Sequence, residues 1–219
     1  MNPDSCLLKN ASGRMAADDR RLQILQVAME LFSQRGFGGT TTREIALAAG
    51  VSEAIIFRHF TTKQELYKAI LDHQICHGGG GDKMSEIAEI FEQKNDYEIF
   101  YQLGLGAMKH HQEDVDFMRL LFFSALEGHE LAQMFFEGFV AEMYDRLGGY
   151  IEQRQQDGAF RIDVQPRVVV RAFVGMLIHH SLNNILWDKK RRLLDISDEE
   201  AARQFTEILL GGIKIKDQG

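Results

Sequence analysis

A chain of 219 residues, 45% hydrophobic and 26% charged, has ordinary globular proportions, which excludes a disordered or fibrous class and leaves room for one large domain or two modest ones. No apolar run reaches the roughly 18 residues of a membrane span, and the N-terminus lacks the basic start and apolar core of a secretory signal, so a soluble cytoplasmic protein with no membrane partner is expected. The net charge of −7 argues against a nucleic-acid partner for the chain as a whole, but residues 1–75 carry nine Lys/Arg against eight Asp/Glu while the remainder carries sixteen against twenty-four, so any anion-binding function belongs at the front.

Residues 1–16 show no periodicity and read as a flexible arm. Asp18 or Asp19 then caps a helix whose apolar face is Ile24, Leu25, Ala28, Leu31 and Phe32 and which ends at Gly36. Thr41-x-x-Glu44 is a capping box opening a second helix of about two turns, stopped by Gly50. Ser52 is placed to cap a third, running to about His59, and Thr62-x-x-Glu65 opens a fourth through Leu66, Ala69, Ile70 and His73. The run Gly78 to Gly81 is too costly in conformational entropy for a helix interior and marks a loop.

Beyond that loop, apolar residues three and four apart predict helices over about 82–93, 95–111, 114–127 and 130–156. A turn at Asp157-Gly158 follows, then a helix from Pro166 to Trp187 and a last one opened by Ser197-x-x-Glu200 and running to about Leu210. No strand pattern competes. The expected class is all-α, with about nine helices. Cys6 and Cys76 match no disulfide or zinc spacing, so reduced thiols are the default.

A helix ending at Gly50, a turn at Val51 and a helix entering at Ser52 make a helix-turn-helix pattern. Ala46, Ala49 and Gly50 are small enough for close approach, and Val51, Ile56 and Phe60 form the wedge between the two helices. The outward side then falls to Ser52, Glu53, Ala54, Phe57, Arg58 and His59. At roughly 1.5 Å per residue that helix spans about 12 Å, the reach of one insertion into a B-DNA major groove. Thr41, Thr42, Thr61, Thr62 and Lys63 would offer hydroxyls, N–H groups and an ammonium to flanking phosphates. Arg58 suits guanine; Glu53 could accept from cytosine N4 or equally repel a phosphate.

The run from Gly36 to Ile70, GFGGTTTREIALAAGVSEAIIFRHFTTKQELYKAI, closely resembles the DNA-binding segment of TetR/AcrR-type transcriptional regulators. By that resemblance Thr41 or Thr42, Ser52, Phe57, His59 and Lys63 stand where family members touch the DNA backbone, and Glu53, Ala54 and Arg58 where many touch bases; Arg43, beside the threonines, joins the candidate set. Ala54 replaces the usual glycine and Phe57 the more usual tyrosine, which implies altered affinity or sequence preference. The resemblance implies an arm over 1–16, a helix-turn-helix domain over 17–61 and an effector-binding and dimerisation domain over 62–219. It also implies a homodimer on a palindromic operator in double-stranded DNA, most simply a repressor released by a small apolar or amphipathic effector, with no cofactor.

Phe100, Met108, Phe117, Phe122, Met134, Phe135, Met143, Met176 and His180 are the effector candidates, because flexible and aromatic side chains adapt to irregular ligands, although they also fill ordinary cores. Val169, Phe173, Met176, Leu177, Phe205, Ile208 and Leu209 fall in the region where the family forms its dimeric four-helix bundle. Lys189 to Arg192 reads as a solvated loop. His73, Cys76 and His77 lack a further ligand at suitable spacing, so no metal is assigned. The competing readings are a helical metal enzyme, which the absence of any Glu-x-x-His pair disfavours, and a DNA-binding regulator whose body binds a protein.

Overall fold

The computed structural model describes the backbone over 12–77 and 90–215 and the side chains over 19–74 and 90–215. The arm as far as residue 11, Cys6, the glycine run and most of the helix expected over 82–93 lie outside the described residues, as do the side chains of Cys76 and His77. The described helices are α1 (Ser12–Arg35), α2 (Thr42–Ala48), α3 (Glu53–His59), α4 (Lys63–His77), α5 (Asp96–Glu113), α6 (Val115–Leu126), α7 (Glu130–Phe135), α8 (Ala141–Gln156), α9 (Pro166–Leu182) and α10 (Asp198–Ile213). Among the described residues there is no strand, only an isolated antiparallel bridge between Phe160 and Lys214.

The helix starts follow from local chemistry. Thr41 and Glu44 complete a reciprocal capping box, and Asn95 and Ser197 accept from the N–H groups of Glu98 and Glu200. Three expectations need correction. Helix α1 begins at Ser12 rather than at an Asp18 or Asp19 cap, so residues 12–16 are helical rather than part of an arm. Ser52 occupies the N-cap position, but its side chain caps nothing. The helix expected over 130–156 is interrupted by a wide π turn at Phe136–Val140, and a second π turn, Asn183–Trp187, ends the segment begun at Pro166.

The chain packs as two units that interleave along the sequence: 1–80 with 116–138, and 81–115 with 139–219. In the first, Ile24, Ala28 and Phe32 of α1 meet Ile45, Ile56, Phe60, Leu66 and Tyr67 from the next three helices, together with Phe117, Leu120 and Leu131 from the 116–138 stretch. Ser33 reinforces this by donating to Asp116 at 2.8 Å. In the second, Ile99, Phe100, Met108, Ile151, Phe173, Leu177 and Leu210 form the core. Gly104 eases the packing there: a Cβ would stand a tight 3.3 Å from Leu177 Cδ2 and in ordinary contact, 3.5 Å, with Phe173, so glycine lets α5 lie close against α9 without displacing Leu177. Buried Asp96 is satisfied by Tyr150 at 2.5 Å and by Arg154 at 2.8 and 3.1 Å.

Candidate nucleic-acid interface

The supporting helix α2 is fixed at its start. The Thr41 N–H and hydroxyl each donate to Glu44 Oε2 at 2.8 Å, and the Glu44 N–H returns to the Thr41 hydroxyl at 3.2 Å. The backbone N–H and hydroxyl of Thr41, followed by nearby cations, hold Glu44 below the usual carboxylate range. Buried Ile45, Ala46 and Ala49 seat α2 against its neighbours, and Gly50 turns the chain at φ +66°.

Helix α3 turns Ile56 and Phe60 inward, each 1% exposed, while Ser52, Ala54, Phe57 and Arg58 are exposed and Glu53 and His59 half-buried. Inward Ile56 and Phe60 and outward Ser52, Ala54, Phe57 and Arg58 match the spacing, whereas Val51, expected in the wedge, and Glu53 and His59, expected outward, are half-buried. A side-chain tie joins the two helices, because the Thr42 hydroxyl donates to Glu53 Oε1 at 2.5 Å. Arg21 adds support from α1, its guanidinium 4.9 Å from the centre of the Phe60 ring.

An open cleft of about 440 Å³ lies beside α3, lined by Gly38, Phe57, Lys63 and the threonines at 40, 41, 42, 61 and 62. It gathers candidates from three stretches of chain. The Glu65 N–H donates to the Thr62 hydroxyl at 3.0 Å and the Thr61 N–H to Glu65 at 2.7 Å, which orders the mouth of α4. Lys63 donates to the Phe37 carbonyl and lies 4.0 Å from the Phe37 ring centre. Burial pushes the Lys63 ammonium below its ordinary pKa, against the attraction of Glu127 and then Glu44. The expected free hydroxyls of Thr41 and Thr42 are instead spent on Glu44 and Glu53. Arg43 and Arg58 remain as exposed cations.

Residues 24–70 match the family model described as "Bacterial regulatory proteins, tetR family". Over this segment the chain is similar to the DNA-binding part of that family. It is 42% identical over 62 residues to the HTH-type transcriptional activator FasR of Mycolicibacterium smegmatis, an alignment that takes in 28% of each chain. Over 50 residues it is 48% identical to the HTH-type transcriptional repressor Rv3405c of Mycobacterium tuberculosis, covering 23% of this chain and 27% of that one. The chain therefore spans little more than a quarter of the length of these curated relatives. Likeness of fold runs further: NalD of Pseudomonas aeruginosa, the secondary repressor of the MexAB-OprM efflux pump, superposes at a TM-score of 0.69 over 91% of this chain and 98% of that one, at 20% identity. AibR, solved with isovaleryl coenzyme A and operator DNA, superposes at 0.65 over 87% and 98%, at 23% identity.

The effector candidates do not form one group. Phe117, Phe122, Met134 and Phe135 belong to the first packing unit, and Phe100, Met108, Met143, Met176 and His180 to the second. Phe100, Met108 and Phe117 are spent in the cores, while Phe122 is 40% exposed and Met134, Phe135, Met143 and Met176 are half-buried. His180 is buried edge-on to Phe205 with ring centres 5.5 Å apart.

The proposed dimer residues also divide. Val169, Phe173, Leu177 and Leu209 are buried in the core of the second unit; Met176 and Phe205 are half-buried, and Ile208 is 63% exposed. The outward stripe of α9 is instead Val168, Ala172, Gly175 and His179. Sequence reasoning also missed Phe37 and Glu127, whose pairing spans 90 residues and leaves no periodic signal.

Proposed function

We propose that this chain is a sequence-specific DNA-binding transcriptional regulator that acts as a homodimer on an inverted-repeat operator. The observation that carries the reading is the exposed edge of α3 beside a cleft lined by threonines and Lys63, within the segment that matches the tetR family. Arg58 and Glu53 would face base edges, while Arg43, Lys63 and the N–H groups opening α4 would position the protein on phosphates; Ser52, Ala54, Phe57 and His59 would complete the contact.

Isologous pairing would use the outward stripe of α9 together with Ile208 of α10 and set two α3 helices about 34–36 Å apart, one turn of duplex. A small apolar effector that prefers the other spacing would release DNA, making the chain a repressor with no enzymatic activity; an effector of equal affinity for both states would shift nothing. Half-buried Met143 and Met176 and buried His180 are its proposed contacts in the second unit. NalD, a repressor, and AibR, solved with isovaleryl coenzyme A and operator DNA, support the reading of a DNA-binding regulator that answers to a ligand. Sequencing duplexes retained from a random pool tests the proposal: an inverted repeat with half-sites one turn apart is expected, and recovery of no common sequence would overturn it.

A further inference from the structure

The Phe37 peptide is gripped on both sides. Its N–H donates to Glu127 Oε2 at 3.3 Å, and its carbonyl accepts from the Lys63 ammonium, which also stacks on the Phe37 ring. The ring packs against Tyr67 and His129, with centres 5.0 and 4.3 Å away, and those two rings also touch each other, 4.9 Å apart. Glu127 approaches Gly36 so closely that a Cβ there would fall 2.2 Å from Oε1. Glu127 and His129 lie in the 116–138 stretch, within the same packing unit as Lys63 and the cleft.

The cation that this cleft would offer a phosphate is therefore engaged inside the protein. A carbonyl oxygen, an aromatic face and the negative charge of Glu127 supply what a phosphate oxygen would supply. Glu127 is also the largest attractive charge acting on Lys63. To contact a phosphate, the ammonium must exchange these partners.

We infer that Glu127 and the Phe37 carbonyl act as an internal competitor for Lys63, an autoinhibitory contact through which the 116–138 stretch sets how tightly the front of the molecule holds DNA. The inference rests on the DNA-binding reading above. Whatever draws Glu127 from Phe37 removes an attractive charge that helps keep Lys63 on the Phe37 carbonyl, and by reciprocity a phosphate that captures Lys63 loosens the grip on Phe37. A merely structural Glu127 would have the opposite sign: weakening it would weaken binding.

The test is the affinity of the full chain for a fluorescein-labelled random-sequence duplex at low salt, where phosphate contacts dominate. Four proteins are compared: wild type, Glu127→Gln, Lys63→Met and the double variant. Glu127→Gln keeps an oxygen to accept from the Phe37 N–H and loses only the charge. It should tighten binding by about three- to tenfold, and the gain should vanish in the Lys63→Met background, the signature of coupled partners. Equal or weaker binding by Glu127→Gln, or the same gain without Lys63, would overturn the competitor and leave the DNA-binding reading standing. Failure of the wild type itself to bind the duplex would remove that reading and this inference together.

Discussion

The hydroxyl of Thr42 donates to the carboxylate of Glu53 at 2.5 Å and so ties the first turn of α2 to the first turn of α3. Thr42→Val removes the donor at nearly constant volume and should cost about 0.5–1.5 kcal/mol in urea unfolding, the net worth of one such bond. Glu53→Gln retains an accepting oxygen and should cost less. If Glu53→Gln proves the more damaging of the two, the tie is not what holds these turns together.

Two left-handed glycines should respond unequally to alanine. At Gly50, φ +66°, a Cβ would meet nothing within 4 Å, so Gly50→Ala should lose only the backbone penalty, about 1–2 kcal/mol. At Gly36, φ +70°, the same change also drives the Glu127 carboxylate away, so its loss should be larger. Denaturant midpoints at matched slope decide the order, and equal losses would mean that Glu127 moves aside freely.

Acid should weaken the second unit. His111 accepts or donates at 2.9 Å to Ser181 Oγ, and burial, with the charge of neighbouring His110 acting in the same direction, pushes its pKa down to about 4; burial also lowers His180, against the attraction of Asp198. Because the folded-state value lies below the unfolded one, the unfolded chain takes up the extra proton. The stability contributed is present in full above pH 6.5 and declines as pH falls toward 4. At pH 5, His111 alone should account for a loss of about 2 kcal/mol at most. Unfolding free energies measured from pH 7.5 to 5 should fall, and His111→Gln should flatten the slope. A slope unchanged by that replacement would assign the acid sensitivity elsewhere.

Neighbouring residues on α10 separate pairing from folding. Ile208 is 63% exposed and Leu209 6%, so Ile208→Glu should leave the helical content and melting of the protomer intact while shifting sedimentation toward monomer. Leu209→Glu should instead bury an unpaired charge and cost several kcal/mol. A dimer that persists in Ile208→Glu would place the pairing surface on another face.

Much of this protein could be read before any fold was known. The capping box at Thr41, the Thr62 hydroxyl that accepts from Glu65, the turn at Gly50 and the inward set Ile45, Ile56 and Phe60 involve residues at most a few positions apart, and a helix of 3.6 residues per turn makes that spacing a statement about faces. The exposed edge of α3 followed from the same arithmetic. The effector and dimer sets did not, because an apolar residue on a helix announces only that it is buried, not against what. Val169, Phe173 and Leu177 look alike in the sequence whether they meet the protomer's own core or a second copy.

Sequence alone thus determined most of the helices, their order and the shortness of α3, since caps, turns and periodicity are local; it missed the start of α1 and the π turn at Phe136–Val140. Tertiary packing decided the rest: that 116–138 joins the front unit, that Phe117 and Phe100 serve separate cores, and that Glu127 reaches Phe37 across 90 residues. Such contacts depend on which helix faces meet, and that is fixed by burying all the apolar faces at once rather than by any one stretch of chain.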